Sequence, residues 1–188
     1  MRSTLFVILS LFAVSTFISC TEQGNSSKPP EGVISIEEAK MHFKSVAHDL
    51  QKNGIPKDLG PVVFGFAGYG NVSCGAQELF DLLPHKDLSP TELAKNFSSL
   101  TSWDGTLFKF VFKEEHMVIP KNGKFDLRDY YDNPENYTGN FSSWLPYINV
   151  LVNCIYWTEK YPRLVTKDYL NQHPDGNLVV IGDISCDI

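Results

Sequence analysis

An apolar run, Val62-Val-Phe-Gly-Phe-Ala67, ends in Gly68-Tyr-Gly-Asn-Val-Ser-Cys-Gly75 and passes straight into Ala76-Gln-Glu-Leu-Phe-Asp-Leu-Leu83. This order of strand, glycine turn and helix constrains the fold more than any other stretch of the chain. A buried strand needs the first segment's unbroken apolarity, and the third carries apolar residues at helical spacing. Between them, Gly68 permits a tight turn and Gly70 lets the backbone come close to a ligand. Amides at the start of the following helix then point at negative charge, so Gly68, Tyr69, Gly70, Asn71, Val72 and Ser73 are candidate phosphate-side residues. Ser73 stands at the third fingerprint place, where Gly or Ala is usual.

The rest of the chain alternates in the same manner. Ser35-Ile-Glu-Glu38 is a capping-box pattern that opens a helix running through about Lys52, closed by Gly54 and Pro56. Ile36, Ala39, Phe43, Val46, Ala47 and Leu50 fall on one of its faces. Further strands are expected at Pro61–Ala67, His85–Leu88, Phe108–Phe112, Pro146–Cys154 and Asn177–Gly182, and further helices after Ser89 and over Thr166–Gln172. The stretch from Phe112 to about Asn140 reads as irregular, rich in Tyr, Asp and Asn. Strands alternating with helices imply an α/β fold, a Rossmann-like doubly wound parallel sheet.

The ends of the chain carry a different signal. Met1-Arg-Ser-Thr4 is a short positive start, and Leu5–Ile18 has no charge. Phe17-Ile-Ser-Cys20 is similar to a lipoprotein cleavage box, so residues 1–20 read as a leader with Cys20 as a lipid-bearing site, or as an unrelated apolar leader. Residues 21–32 are polar with Pro29-Pro30 and read as a flexible linker, which leaves 33–188 as one nucleotide-binding domain. The net charge of −6, with no basic stripe, argues against a nucleic-acid partner, and membrane contact would come only through the leader or the lipid. Beyond Cys20, Cys74, Cys154 and Cys186 lack paired metal-ligand spacing and read as reduced, packed thiols.

The words around the glycine turn are more specific than its spacing. Gly70–His85 resembles the nucleotide-binding segment of lysine–ketoglutarate reductase, the saccharopine-forming enzyme related to alanine dehydrogenase and nicotinamide transhydrogenase. Val111–Val118, Asn153–Trp157 with Pro162–Thr166, and Val180–Asp187 agree with it in wording, order and spacing. The resemblance runs from about Gly32 to the last residue. It implies a saccharopine dehydrogenase-type oxidoreductase of lysine metabolism, using NADP or NAD on lysine, 2-oxoglutarate and saccharopine.

The resemblance also implies roles for particular residues. Ile155 and Tyr156 would lie along the cofactor, unless they only pack the core. Asp187 matches in position an aspartate beside the nicotinamide and the substrate, and is the candidate catalytic carboxylate. Ribose selection belongs to a group roughly 20 residues after the glycines, where Asp87 stands with His85 and Lys86 beside it. An acid there favours the free hydroxyls and a cation the 2′-phosphate, so the choice between NAD and NADP stays open. Arg163 could pair with a carboxylate, and His116 reads as structural.

The family's acid–base lysine and histidine belong to a separate substrate domain that no part of this chain matches. The expectation is therefore an incomplete domain, weakly active or inactive alone, with a second polypeptide as the candidate source of the missing half. The leader suggests export and the resemblance suggests cytoplasm or mitochondrion. A lipid-anchored, non-catalytic nucleotide-binding or interaction module is the alternative.

Overall fold

A strand covered on both faces has to be apolar at every position, and β1 (Val63–Ala67) meets that demand with all five residues buried. The computed structural model describes residues 35–55, 59–100 and 104–184. Around β1 stand β2 (His85–Asp87), β3 (Leu107–Phe112), β6 (Val150–Asn153) and β7 (Val180–Asp183), all parallel, in the order β2-β3-β1-β6-β7. The chain visits one side of β1 first and then crosses to the other, as a doubly wound sheet requires. Its order nevertheless differs from the usual dinucleotide-binding one. Here the third strand, not the second, lies against β1.

Side chains alternate across the sheet and build one core on each face. Phe64, Phe66, Val150 and Val152 meet α1 (Ile36–Asn53) and α2 (Asn71–Phe80). The Phe80 ring lies 4.8 Å from Phe64 and 5.4 Å from Phe66. Each such fully buried ring contributes roughly 1.5–3 kcal/mol of transfer free energy. On the opposite face Phe108, Phe110, Phe112 and Leu151 pack under α3 (Pro90–Asn96) and the segments that follow β3. Gly65 belongs to this face because a Cβ there would stand 2.6 Å from the Phe112 ring.

The helix starts follow from their caps. Ser35 and Ser89 each accept from the amide three residues on, at 3.2 Å in both cases, and Glu38 and Glu92 return the bond. Those bonds from Ser89 hold the Glu92 carboxyl down at about 2.

Two sequence expectations need correction. The run Pro146–Cys154 is a strand only over Val150–Asn153, because Leu145–Tyr147 closes into a 3-10 turn with Pro146 inside it. The stretch after β3 is not irregular. It holds α4 (Glu114–Met117), an antiparallel pair β4 (Val118–Pro120) and β5 (Tyr137–Gly139), and α5 (Leu127–Asp132). The short α6 (Lys167–Gln172) leads towards β7. Residues 1–34, with the leader, the Cys20 lipid site and the linker, lie outside the described residues, as do Cys186 and Asp187.

Candidate nucleotide-binding site

Parallel strands of matched register bring their carboxyl ends to one edge. Phe112, Ala67, Asn153 and Asp183 stand side by side across β3, β1, β6 and β7. The ladder runs one residue further, with Gly68 N–H donating to Phe112 and Cys154 N–H to Ala67, each at 3.0 Å. Open α/β sheets place ligands in the crevice beyond such an edge.

The glycine turn begins there. Gly68 has φ +93°, and a Cβ on it would stand 2.8 Å from Ile155 Cγ2. Only glycine fits without strain. Gly70 caps α2 in ordinary extended geometry, and a Cβ there meets nothing within 4 Å. The turn thus leaves open space above the amides of α2's first turn, which have no partner within the helix. Ser73 is wholly buried and accepts from Gln77 Nε2 at 2.9 Å. A small residue in the third fingerprint place serves close packing of helix on strand, and Ser73 does this against Cys154.

A cleft of about 390 Å³ opens from this turn. Gly68, Tyr69 and Gly70 form one wall, and Cys154, Ile155, Tyr156 and Trp157 the next. Glu114 and Met117 of α4, Val118 of β4, Tyr130 and Tyr131 of α5, and Tyr161–Leu164 complete it. Its volume and mostly apolar, aromatic lining are those of a small-molecule site.

Glu114 is the only carboxylate among the described residues of that lining. It accepts from the Tyr131 hydroxyl at 2.5 Å and from the Tyr69 phenol as well. The bond to Glu114 raises the Tyr69 pKa, while for Tyr131 burial comes first and Glu114 second. Burial first, then the neighbouring Tyr161 and Glu114, push Tyr130 up to about 12. The lining's one cation among the described residues, Arg163, lies with its guanidinium 4.2 Å above the Trp157 ring. No carboxylate pairs with it within 4.0 Å among the described residues. A cation held flat on an aromatic face is positioned for a carboxylate or a phosphate.

The structure thus brings Gly68, Tyr69, Gly70, Ile155 and Tyr156 into one cleft, with Tyr156 78% exposed and Ile155 half-buried against Gly68. Asn71 is exposed at the start of α2, and Val72 packs against the core. Asp87 is elsewhere. It pairs in register with Lys109, three residues below the edge of β3 and one strand further from β1. Three residues of strand are about 10 Å. Asp87 and Asp81 hold the buried Lys109 ammonium at 3.2 and 2.6 Å. Burial lowers the Lys109 pKa, and the two carboxylates more than offset it.

His116 is structural in its contacts. It packs on Phe110 and Trp144, its Nδ1 accepts from Lys113 N–H at 3.0 Å, and burial lowers its pKa. Cys154 fits the expected packed thiol, its pKa pushed to about 11 by burial, whereas Cys74 is exposed. Sequence reasoning missed Glu114, Tyr130, Tyr131 and Tyr161 as cleft residues. For Tyr130 and Tyr131 the signal was the density of tyrosines in a stretch read as irregular.

No protein-family model matches the chain. Alpha-aminoadipic semialdehyde synthase of Arabidopsis thaliana is 38% identical to it over 168 residues, which is 82% of this chain and 16% of that protein. The mitochondrial alpha-aminoadipic semialdehyde synthases of Mus musculus and Bos taurus are 35% and 34% identical over 133 and 135 residues. Each match takes in 69% of this chain and 14% of the relative. The chain spans less than a fifth of the length of the curated relatives it matches. Matching one segment of those proteins, it belongs to the alpha-aminoadipic semialdehyde synthase family, that of lysine–ketoglutarate reductase and saccharopine dehydrogenase.

Proposed function

We propose that this chain is the nucleotide-binding part of a saccharopine-forming oxidoreductase, one that joins lysine and 2-oxoglutarate with NAD(P)H or runs in reverse. The observation that carries the reading is Gly70, which opens α2 at the sheet's ligand edge with nothing within 4 Å of where a Cβ would stand. A pyrophosphate fits such a place because unpaired amides and the positive end of the helix dipole face it. The homology adds the reaction class. When bound, the nicotinamide cofactor would supply the hydride.

The chain's own residues bind and orient. Gly68–Ser73 hold the phosphates through their backbone. Ile155 and Tyr156 lie along the cofactor, and Arg163 offers its guanidinium to a substrate carboxylate. Asp187 is the candidate active-site carboxylate, four residues after β7 ends at that edge. In the whole enzyme a substrate-binding part would supply the proton-transfer groups, which contribute roughly 10²–10⁴-fold in rate.

The test is a titration of the purified chain with NADH and NADPH, following the fluorescence of Trp157, which lines the cleft. Saturable binding that Gly70→Val weakens supports the reading. Oxidation of the reduced cofactor that requires both lysine and 2-oxoglutarate, once the substrate part is supplied, supports the reaction. A cooperatively folded protein that binds neither nucleotide refutes the reading and leaves a non-catalytic module.

A further inference from the structure

A second, smaller cavity lies beyond β6. Strands β6 and β7 run parallel in register, with Leu151 beside Ile181 and Asn153 beside Asp183. Alternate residues of a strand share a face, so the apolar pair leads on one face to the polar pair at the carboxyl edge. All four line the cavity, which measures about 170 Å³ and shares its Trp157 and Arg163 wall with the cleft. That volume is below the roughly 300–1,000 Å³ of a site for a whole small molecule and suits one part of a ligand.

Both charges of this cavity are held in place. Trp157 Nε1 donates to the Tyr161 carbonyl at 2.9 Å, which fixes the ring on which the Arg163 guanidinium lies at 4.2 Å. Asn153 Oδ1 accepts from Ile155 N–H at 3.4 Å, so the amide nitrogen of Asn153 faces Asp183 and donates to its Oδ1 at 3.0 Å. Arg163 and Asp183 line one cavity, yet no ion pair within 4.0 Å joins them. A cation and an anion that are anchored separately, with space between them, complement a zwitterion.

We propose that this cavity takes the head group of an α-amino acid, Arg163 binding its carboxylate and Asp183 its ammonium. The proposal deepens the function proposed above and rests on its reading of Arg163. The ligand's side chain has a path past Trp157 into the larger cleft, because the two spaces share that wall. Each charged group makes a charge-assisted hydrogen bond, so losing either partner weakens a zwitterionic ligand roughly ten- to hundredfold.

The experiment titrates the purified chain, with and without saturating NADH, following Trp157 fluorescence. The ligands are L-lysine, 6-aminohexanoate, which lacks the α-ammonium, and cadaverine, which lacks the carboxylate. L-Lysine should bind at least roughly tenfold tighter than either analogue. Asp183→Asn should weaken L-lysine by that factor and leave 6-aminohexanoate unchanged, while Arg163→Gln should weaken L-lysine and leave cadaverine unchanged. Wild-type chain that binds an analogue as well as L-lysine overturns the proposal, and needs no variant to fold. So does an Asp183→Asn chain that loses all three ligands alike, or one that loses NADH and keeps L-lysine. NADH binding without L-lysine binding sinks this proposal and spares the nucleotide reading, and L-lysine binding without NADH binding does the reverse.

Discussion

Gly68 and Gly70 sit two residues apart in one turn, and replacing each by alanine should fail in opposite ways. At Gly68 the methyl meets φ +93° and the Ile155 Cγ2 atom at 2.8 Å. The left-handed backbone costs about 1–2 kcal/mol, and pushing Ile155 off its rotamer about 0.5–1.5 kcal/mol more. In a chain of this length a loss of about 2–3 kcal/mol lowers the melting temperature by roughly 5–10 °C. At Gly70 the backbone is ordinary (φ −74°, ψ −175°) and the space is open, so Gly70→Ala should melt within a degree or two of the wild type. Its cost falls on binding. The methyl enters the space where a phosphate approaches the α2 amides, and losing one charge-assisted hydrogen bond, about 1.5–3 kcal/mol, weakens NADH at least tenfold. Circular dichroism melts with and without NADH read both effects. At 100 times its dissociation constant a ligand stabilises the fold by about 2.7 kcal/mol, a gain the wild type should show and of which Gly70→Ala should lose about half or more. Equal melting of the two free variants, or wild-type binding by Gly70→Ala, would refute the reasoning.

Other perturbations test the scaffold. Asp87→Asn should leave nucleotide binding unchanged and cost under about 1 kcal/mol, since Asp87 is mostly exposed and only shares Lys109 with Asp81; urea melts and the same titration check it. Lys109→Ala should cost more, about 1–3 kcal/mol, by removing a buried stem and the partner of both carboxylates, and Lys109→Met should recover part of that loss. Burial lowers the His116 pKa, so the unfolded chain takes up the proton first. Stability is therefore full above the unfolded value of about 6.5 and declines as pH falls through the folded one. His116→Asn, which keeps an acceptor for Lys113 N–H, should flatten that decline in melts between about pH 7.5 and 5. Gly105→Ala should be the most damaging substitution of this set, because its Cβ would stand 2.1 Å from the Leu50 carbonyl oxygen at φ +85°. A loss of about 3 kcal/mol or more is expected, visible as poor expression or a low melt.

Local signals were legible wherever chemistry within a few residues decides the outcome. The two capping boxes, at Ser35 and Ser89, begin their helices as read, because a hydroxyl and a carboxylate three residues apart can satisfy each other's amides only in that geometry. The turn at Gly68 was legible for a similar reason. The cleft's far wall was not. Glu114, Tyr130 and Tyr131 come from α4 and α5, helices of 4 and 6 residues that are too short to show a period. Nothing local announces that a ladder of only three residues, Val118–Pro120 on Tyr137–Gly139, folds that stretch back on itself.

The place of Asp87 in the sheet shows how strand order follows from physics that was present in the sequence. Counting about 20 residues from the glycines reaches Asp87 only if the second strand lies beside the first. Yet His85-Lys86-Asp87 is short and polar, with its first residue half-buried and the next two exposed, which is the character of a border strand. Leu107–Phe112 is a six-residue run broken only by Lys109, and a strand buried on both faces needs such a run. Set beside an equally apolar β1, it is the better neighbour, since pairing β1 with His-Lys-Asp would leave Phe108, Phe110 and Phe112 at the sheet's edge. Lys109 is the one residue that argues against an interior position, and two carboxylates offset the cost of burying it: Asp81, just after α2, and Asp87 on β2. The same Asp87 that analogy assigns to the ribose is therefore needed to let β3 sit inside the sheet. Once β3 is inside, its end carries Glu114 into the cleft lined by Gly68, Tyr69 and Gly70.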